Sequence, residues 1–114
     1  PFFLGLIYPE RANYLGAVAN LQSRAFLQQV SADWKPPHGL PLVAAALPEW
    51  ISEITYSDHL WFWRRNWPAL MITDTAFLRN PHYHQPTDRP PQLDFDRFSD
   101  AVDGLENVLT ASTR

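Results

Sequence analysis

Three of the four histidines, His59, His82 and His84, flank a short apolar run at residues 69–73, and Asp58, Asp74 and Asp88 lie among them. Neutral imidazoles and carboxylates are the usual nitrogen and oxygen ligands of zinc, so the residue types suit a metal. His82 and His84 are two apart and would share a face of an extended segment. Two ligands from one loop still leave a site that needs three or four incomplete, and a single loop histidine is more often a hydrogen-bonding surface group. Ser57-Asp58-His59 holds the three residue types of a hydrolase triad, but consecutively, whereas a triad gathers them from separated positions. The four scattered glycines form no phosphate-cradling loop. With no cysteine there is neither a disulfide framework nor a thiolate metal site nor a Cys nucleophile.

The elements that must position these groups can be read in order. Pro1 to Arg11 is apolar and breaks at Tyr8-Pro9-Glu10-Arg11, a loop or strand end, because proline lacks the ladder N–H. Tyr14 to Ala19, bounded by Asn13 and Asn20, fits a buried strand. Ser23 offers an N-cap hydroxyl, and Ala25, Phe26, Leu27 and Val30 form one stripe of a helix from about Ser23 to Ala32. Lys35-Pro36-Pro37-His38-Gly39 is a turn by composition. Leu40 to Leu47 reads as a strand covered on both faces, ended by Pro48. Ser57 can cap a short aromatic helix over Asp58 to Arg65, and Ala69 to Thr73 is a further strand.

From Asp74 to Pro91 the composition turns to His, Pro, Asn, Thr, Asp and Arg, a stretch of about eighteen residues without periodicity, of the kind that is usually functional or disordered. Asp94 then caps a last helix whose apolar stripe, Phe95, Phe98, Val102, Leu105 and Leu109, recurs at steps of three and four. Strand and helix alternate, so the fold class is α/β, with at least one strand edge left open.

The 114 residues allow one domain. Apolar residues are 46% and charged residues 18%, which is the balance of a packed core and not of a disordered tail. A net charge of −3 lacks the basic excess that contacts with a phosphate backbone require, so nucleic acid is not an expected partner. No apolar run reaches the roughly 18 residues of a membrane span. The start at Pro1, with no initiator Met, suggests a processed product or a piece of a longer chain.

The order of these residues is more informative than their types. Ser57-Asp58-His59 followed by Phe62, then Trp67-Pro68 through Thr73-Asp74-Thr75, then Arg79-Asn80-Pro81-His82-Tyr83-His84, then Asp88 and Leu93-Asp94, resembles the C-terminal part of the M28 family of zinc peptidases. Ile7-Tyr8-Pro9-Glu10-Arg11 and the strand ending at Asn20 look like the preceding segment of bacterial members. The resemblance implies one partial domain, residues 1–114, forming the C-terminal part of a three-layer αβα sandwich with a mixed sheet. It implies that His84 is a zinc ligand. Tyr83 matches a residue that in some members donates a hydrogen bond to the tetrahedral intermediate; a loop aromatic packed on the core is the equal alternative. Asp58 and His59 match a motif placed behind the metal, where such groups orient ligands, the other reading being a helix cap and a core histidine. Asp88 matches an Asp four residues after the ligand, although the family often follows it with Thr where this chain has Arg89.

The family's bridging Asp, its paired Glu residues and its upstream His and acidic ligand find no counterpart here. Glu10, Glu49, Glu53 and Glu106 stand in no matching context. A two-metal hydrolase needs those carboxylates and a base. The resemblance therefore implies the C-terminal fragment of an aminopeptidase that uses zinc, two ions in its complete form, on peptide substrates. The fragment alone is expected to be inactive, to bind zinc weakly or not at all, and to self-associate through exposed apolar surface. The family also suggests a location outside the cytoplasm. Two rivals remain: a non-catalytic interaction module of the same fold, and an acyltransferase like the glutaminyl cyclases, which share the fold. The aromatic cluster Trp61, Phe62, Trp63 and Trp67 reads as core or interface before it reads as a ligand platform.

Overall fold

A computed structural model of the chain describes residues 13–76 and 80–113. The apolar segment before Asn13, the Ile7 to Arg11 part of the family resemblance, Glu10 and Arg79 lie outside them. The described residues form an α/β fold around a three-stranded mixed sheet. Strand β1 (Leu15–Asn20) leads through a 3-10 turn (Leu21–Ser23) into helix α1 (Arg24–Asp33). Strand β2 (Leu42–Leu47) is followed by a 3-10 turn at Ser52–Thr55, helix α2 (His59–Arg64) and strand β3 (Leu70–Thr73). A 3-10 turn at Pro90–Gln92 precedes the long helix α3 (Phe95–Ser112). No helix among the described residues is long and apolar enough to cross a membrane.

The sheet order is β2-β1-β3, with β1 parallel to β2 and antiparallel to β3. Because strand side chains alternate between faces, Leu15, Ala17 and Ala19 of β1 share one face. They pack with Leu42 and Ala46, with Leu70 and Ile72, with Leu27 and Val30 of α1, and with Trp34 just after it. The opposite face places Val18 and Leu47 against Ile51, Ile54 and Trp63. The strand expected at Leu40 to Leu47 forms over Leu42–Leu47 and, among the described residues, lies at one edge, half-buried with Ala44 exposed and not covered on both faces. The central strand β1 is the most buried of the three, with four of its six residues buried.

The turn expected at residues 35–39 forms as read, with the Gly39 N–H donating to the Pro36 carbonyl at 3.1 Å and Gly39 at φ 76°. The caps differ from expectation. Ser23 precedes α1, but its hydroxyl makes no cap and instead accepts from the Ala69 N–H at 3.2 Å, which ties the entry of β3 to the end of β1. Asn20 caps the intervening turn by accepting from the Ser23 N–H at 3.0 Å. Ser57 contributes only its carbonyl, which accepts from Leu60, and Asp58 stands at the N-cap of α2 without a side-chain bond.

Helix α3 has the cap that the sequence announces, with Asp94 accepting from the Arg97 N–H at 3.1 Å. Its orientation is the surprise. Residues advance about 100° each around a helix, and the buried positions are Asp100, Gly104 and Val108. The stripe of Phe95, Phe98, Val102, Leu105 and Leu109 lies roughly a third of a turn away and is exposed. Two interactions set this rotation. The Asp100 carboxylate, 3% exposed, accepts from the His38 N–H through Oδ1 and from the Leu40 N–H through Oδ2, each at 2.8 Å. Gly104 admits the indole of Trp34, which is itself held by a 2.8 Å bond from Nε1 to the Leu40 carbonyl.

A Cβ on Gly104 would stand 2.9 Å from two ring carbons of Trp34. The pinned indole has no room to yield, so overpacking outweighs the helix propensity gained. Gly104→Ala should destabilise the fold by about 2 kcal/mol in urea denaturation. Asp100→Asn turns one acceptor into a donor facing an N–H, and should cost about 2 kcal/mol in the same measurement.

Candidate functional site

The polar segment after β3 is built from short local turns. Thr73 Oγ1 accepts from the Thr75 N–H at 3.0 Å, and Asp74 Oδ1 accepts from the Ala76 N–H at 2.8 Å. These bonds hold Thr75 at φ 65°, an unusual conformation for a β-branched residue. Asn80 then organises the histidine stretch. Its side-chain oxygen accepts from the His82 N–H at 2.9 Å and its carbonyl from the Tyr83 N–H at 3.1 Å. Further turns follow, from the Gln85 N–H to the His82 carbonyl at 2.8 Å and from the Asp88 N–H to the Gln85 carbonyl at 3.0 Å.

The segment is therefore coiled, and the extended geometry that would put His82 and His84 on one face is not present. His82 Nδ1 lies 2.8 Å from the Thr87 hydroxyl. His84 sits at φ 56°, in the left-handed region that histidine enters more readily than most residues. Its imidazole is exposed and stacks on Tyr83, ring centroids 4.0 Å apart and planes 15° from parallel. Tyr83 is itself partly exposed, so its ring packs on the neighbouring imidazole and not in the core. Asp88 is exposed, five residues after Tyr83.

Asp58 and His59 are placed elsewhere. They stand at the start of α2, near Ala69 and the entry of β3, about 13 Å of strand from the loop at its exit. His59 is 7% exposed. Its Nε2 faces the Ile54 carbonyl, which can only accept, so this nitrogen carries the proton. The ring meets Trp63 edge-on with centroids 4.6 Å apart. The Asp58 carboxylate is exposed. Within the described residues, this histidine is a core group joining α2 to the preceding turn.

Sequence reading missed the cleft beside the loop. About 290 Å³ in volume, it lies between the segment after β3 and the first turns of α3, and its polar lining comes from Asp74, Asn80, Asp88, Gln92, Asp94 and Arg97. The Asp94–Arg97 pair spans 3.4 Å with both side chains more than half exposed, so it adds little to stability. The signal lay in the capping role of Asp94 and the turn-forming Asn80-Pro81, which bring the two segments to the same end of the sheet. Among the described residues no three His, Cys, Asp or Glu side chains converge as a metal-binding group. His84 fits zinc as a single accessible donor, while the set of three or four that zinc requires is not formed by these residues.

The chain is 36% identical over 103 residues to a protein of Escherichia coli (strain K12) described as "Uncharacterized protein YfbL", a match covering 90% of this chain and 32% of the relative. The chain thus spans about a third of the length of the curated relative it matches. No family model matches it, and no solved structure does.

The difference between the two loop or helix histidines is directly measurable. Diethylpyrocarbonate should modify His84 in the native protein while leaving His59 unmodified until the chain is unfolded, with mass spectrometry of the peptides as readout. Equal modification of both would overturn the placements described above.

Proposed function

We propose that this chain is the C-terminal portion of an M28-like zinc exopeptidase, a mixed-sheet αβα sandwich in its complete form, that removes N-terminal residues from peptides. The observation that carries the reading is the presentation of His84. A left-handed corner, braced on both sides by turns, holds its imidazole in solvent at the exit of β3. That leaves its ring nitrogens accessible to an ion, as those of the buried His59 are not. The order of motifs from Ser57 to Asp94 supplies the family, and the YfbL match is compatible with a part of a longer protein without bearing on its chemistry.

In this reading His84 is one zinc ligand among several, and the metal supplies activation of the attacking water. This chain's own residues do the positioning. Asn80 shapes the turn that carries His84, the Tyr83 ring stacks beside the imidazole, and Asp74 and Asp88 border the adjoining cleft. No hydrolytic step is assigned to the fragment, because the base and the bridging carboxylate belong to motifs that its sequence does not contain.

A second reading, a non-catalytic interaction module, draws on a different observation. Trp50, Trp61 and Trp67 are largely exposed, Trp61 to 68%, which favours a surface made for a macromolecular partner. The two readings separate in assays on aminoacyl chromogenic substrates with defined zinc. The protein from the longest reading frame encoding this chain should show zinc-dependent turnover, and His84→Ala should lower its kcat/KM by about 10³-fold or more. The 114-residue chain should show none; zinc-dependent turnover by it, or full activity of the His84→Ala protein, would refute the proposal. Release of 5-oxoproline from N-terminal glutamine would point to the cyclase instead.

A further inference from the structure

The face that α2 turns outward is composed unlike the rest of the chain. Residues advance about 100° each around the helix, so the buried His59 and Trp63 mark one side, and Trp61 stands almost opposite with Arg64 and Arg65 to either side of it. Trp61 is 68% exposed, and both arginines are exposed. Neither arginine has an ion-pair partner among the described residues. From His59 to Thr73 the sequence holds these two cations and no Asp or Glu, on a chain with twelve acidic residues and a net charge of −3. The patch reverses that charge locally. Its far edge is fixed by the backbone: the Asn66 N–H donates to the Trp63 carbonyl at 2.9 Å and the Trp67 N–H to the Phe62 carbonyl at 3.0 Å, with Asn66 at φ 58°, a left-handed closure of the kind that commonly ends a helix. This closure holds the Trp67 ring 6.0 Å from that of Phe62 and leaves it 61% exposed.

We propose that this knuckle, from Trp61 to Trp67, docks on the surface of a membrane rich in anionic phospholipid. Tryptophan gathers at the boundary between headgroups and acyl chains, because its ring is apolar and its N–H polar. Arginine pairs with phosphate through two parallel N–H donors. The side chains that each role needs stand together here, already presented by a short helix and its closing turn. Charge selects this occupant, since Arg64 and Arg65 are the groups of an otherwise acidic chain that a negative bilayer surface attracts. A second copy meeting the same face would set the arginines against one another. The contact lies on the bilayer and does not cross it, and no helix among the described residues is long and apolar enough to cross. It does not depend on zinc.

Cosedimentation with lipid vesicles tests the proposal, using the protein from the longest reading frame with chelator present. It should sediment with vesicles of phosphatidylglycerol and phosphatidylcholine in equal parts, at least about tenfold more strongly than with phosphatidylcholine alone, and less as salt is raised. Arg64→Gln together with Arg65→Gln should lower the partition coefficient about thirtyfold. Trp61→Ala together with Trp67→Ala should lower it about tenfold, whereas Phe95→Ala, at an exposed apolar position on α3, should leave it unchanged. Absence of binding to the anionic vesicles would overturn the proposal in favour of a protein partner, and so would binding that neither double variant weakens. Equal binding to the neutral vesicles, or an equal loss in Phe95→Ala, would also overturn it, by showing unselective apolar adhesion. Because chelator is present throughout, none of these outcomes depends on whether His84 binds zinc.

Discussion

The carboxylate of Asp100 organises this molecule. One buried side chain accepts two backbone N–H groups from the turn sixty residues earlier, and a bond to a charged acceptor is about twice as strong as a neutral one. It fastens the last helix to the turn that feeds β2. It also fixes how α3 is rotated, since a helix held at Asp100 must present Gly104 and Val108, on following turns, to the same neighbours. Trp34 fills the resulting close approach over Gly104, and its indole bond to Leu40 closes a ring of contacts through α1, the turn and α3. The hydrophobic pattern of α3 plays little part in that choice.

This explains what the sequence revealed and what it withheld. Strand and helix positions follow from apolar runs and from steps of three and four, which are properties of a segment by itself, and β1, α1, β3 and α3 fall within a residue or two of where those patterns put them. Rotation and burial belong to pairs of segments. Periodicity shows that α3 has an apolar face but not that a polar bond elsewhere on the helix turns that face outward. The same limit applies to Ser23, whose hydroxyl is the right group in the right place for a cap and is taken by the Ala69 amide across the sheet. Leu40 to Leu47 has the composition of a strand buried on both sides, and only the pairing order places it at an edge.

The histidines divide along the same line. His59 and His84 are indistinguishable by type, and each directly follows an acidic or aromatic residue. Their fates diverge because α2 carries His59 beneath Trp63 and against the Ile54 carbonyl, whereas the loop after β3 has no periodic apolar residues to draw it inward. The turn-forming residues Asn80 and Pro81 were visible in the sequence. The cleft they form with the start of α3 was not, because it depends on the antiparallel pairing that returns β3 to the end of the sheet where β1 begins.

The loop after β3 and the apolar core are held by bonds of different range. The bonds that shape the His84 corner run between residues only a few positions apart, so the geometry around the imidazole does not depend on what covers the sheet edge or the α3 stripe. Local turns can hold one functional side chain in place while the surfaces beside it are finished by other polypeptide. Among the described residues, the polar turns around His84 are thus shaped by short-range bonds, while the apolar flank at β3 is open.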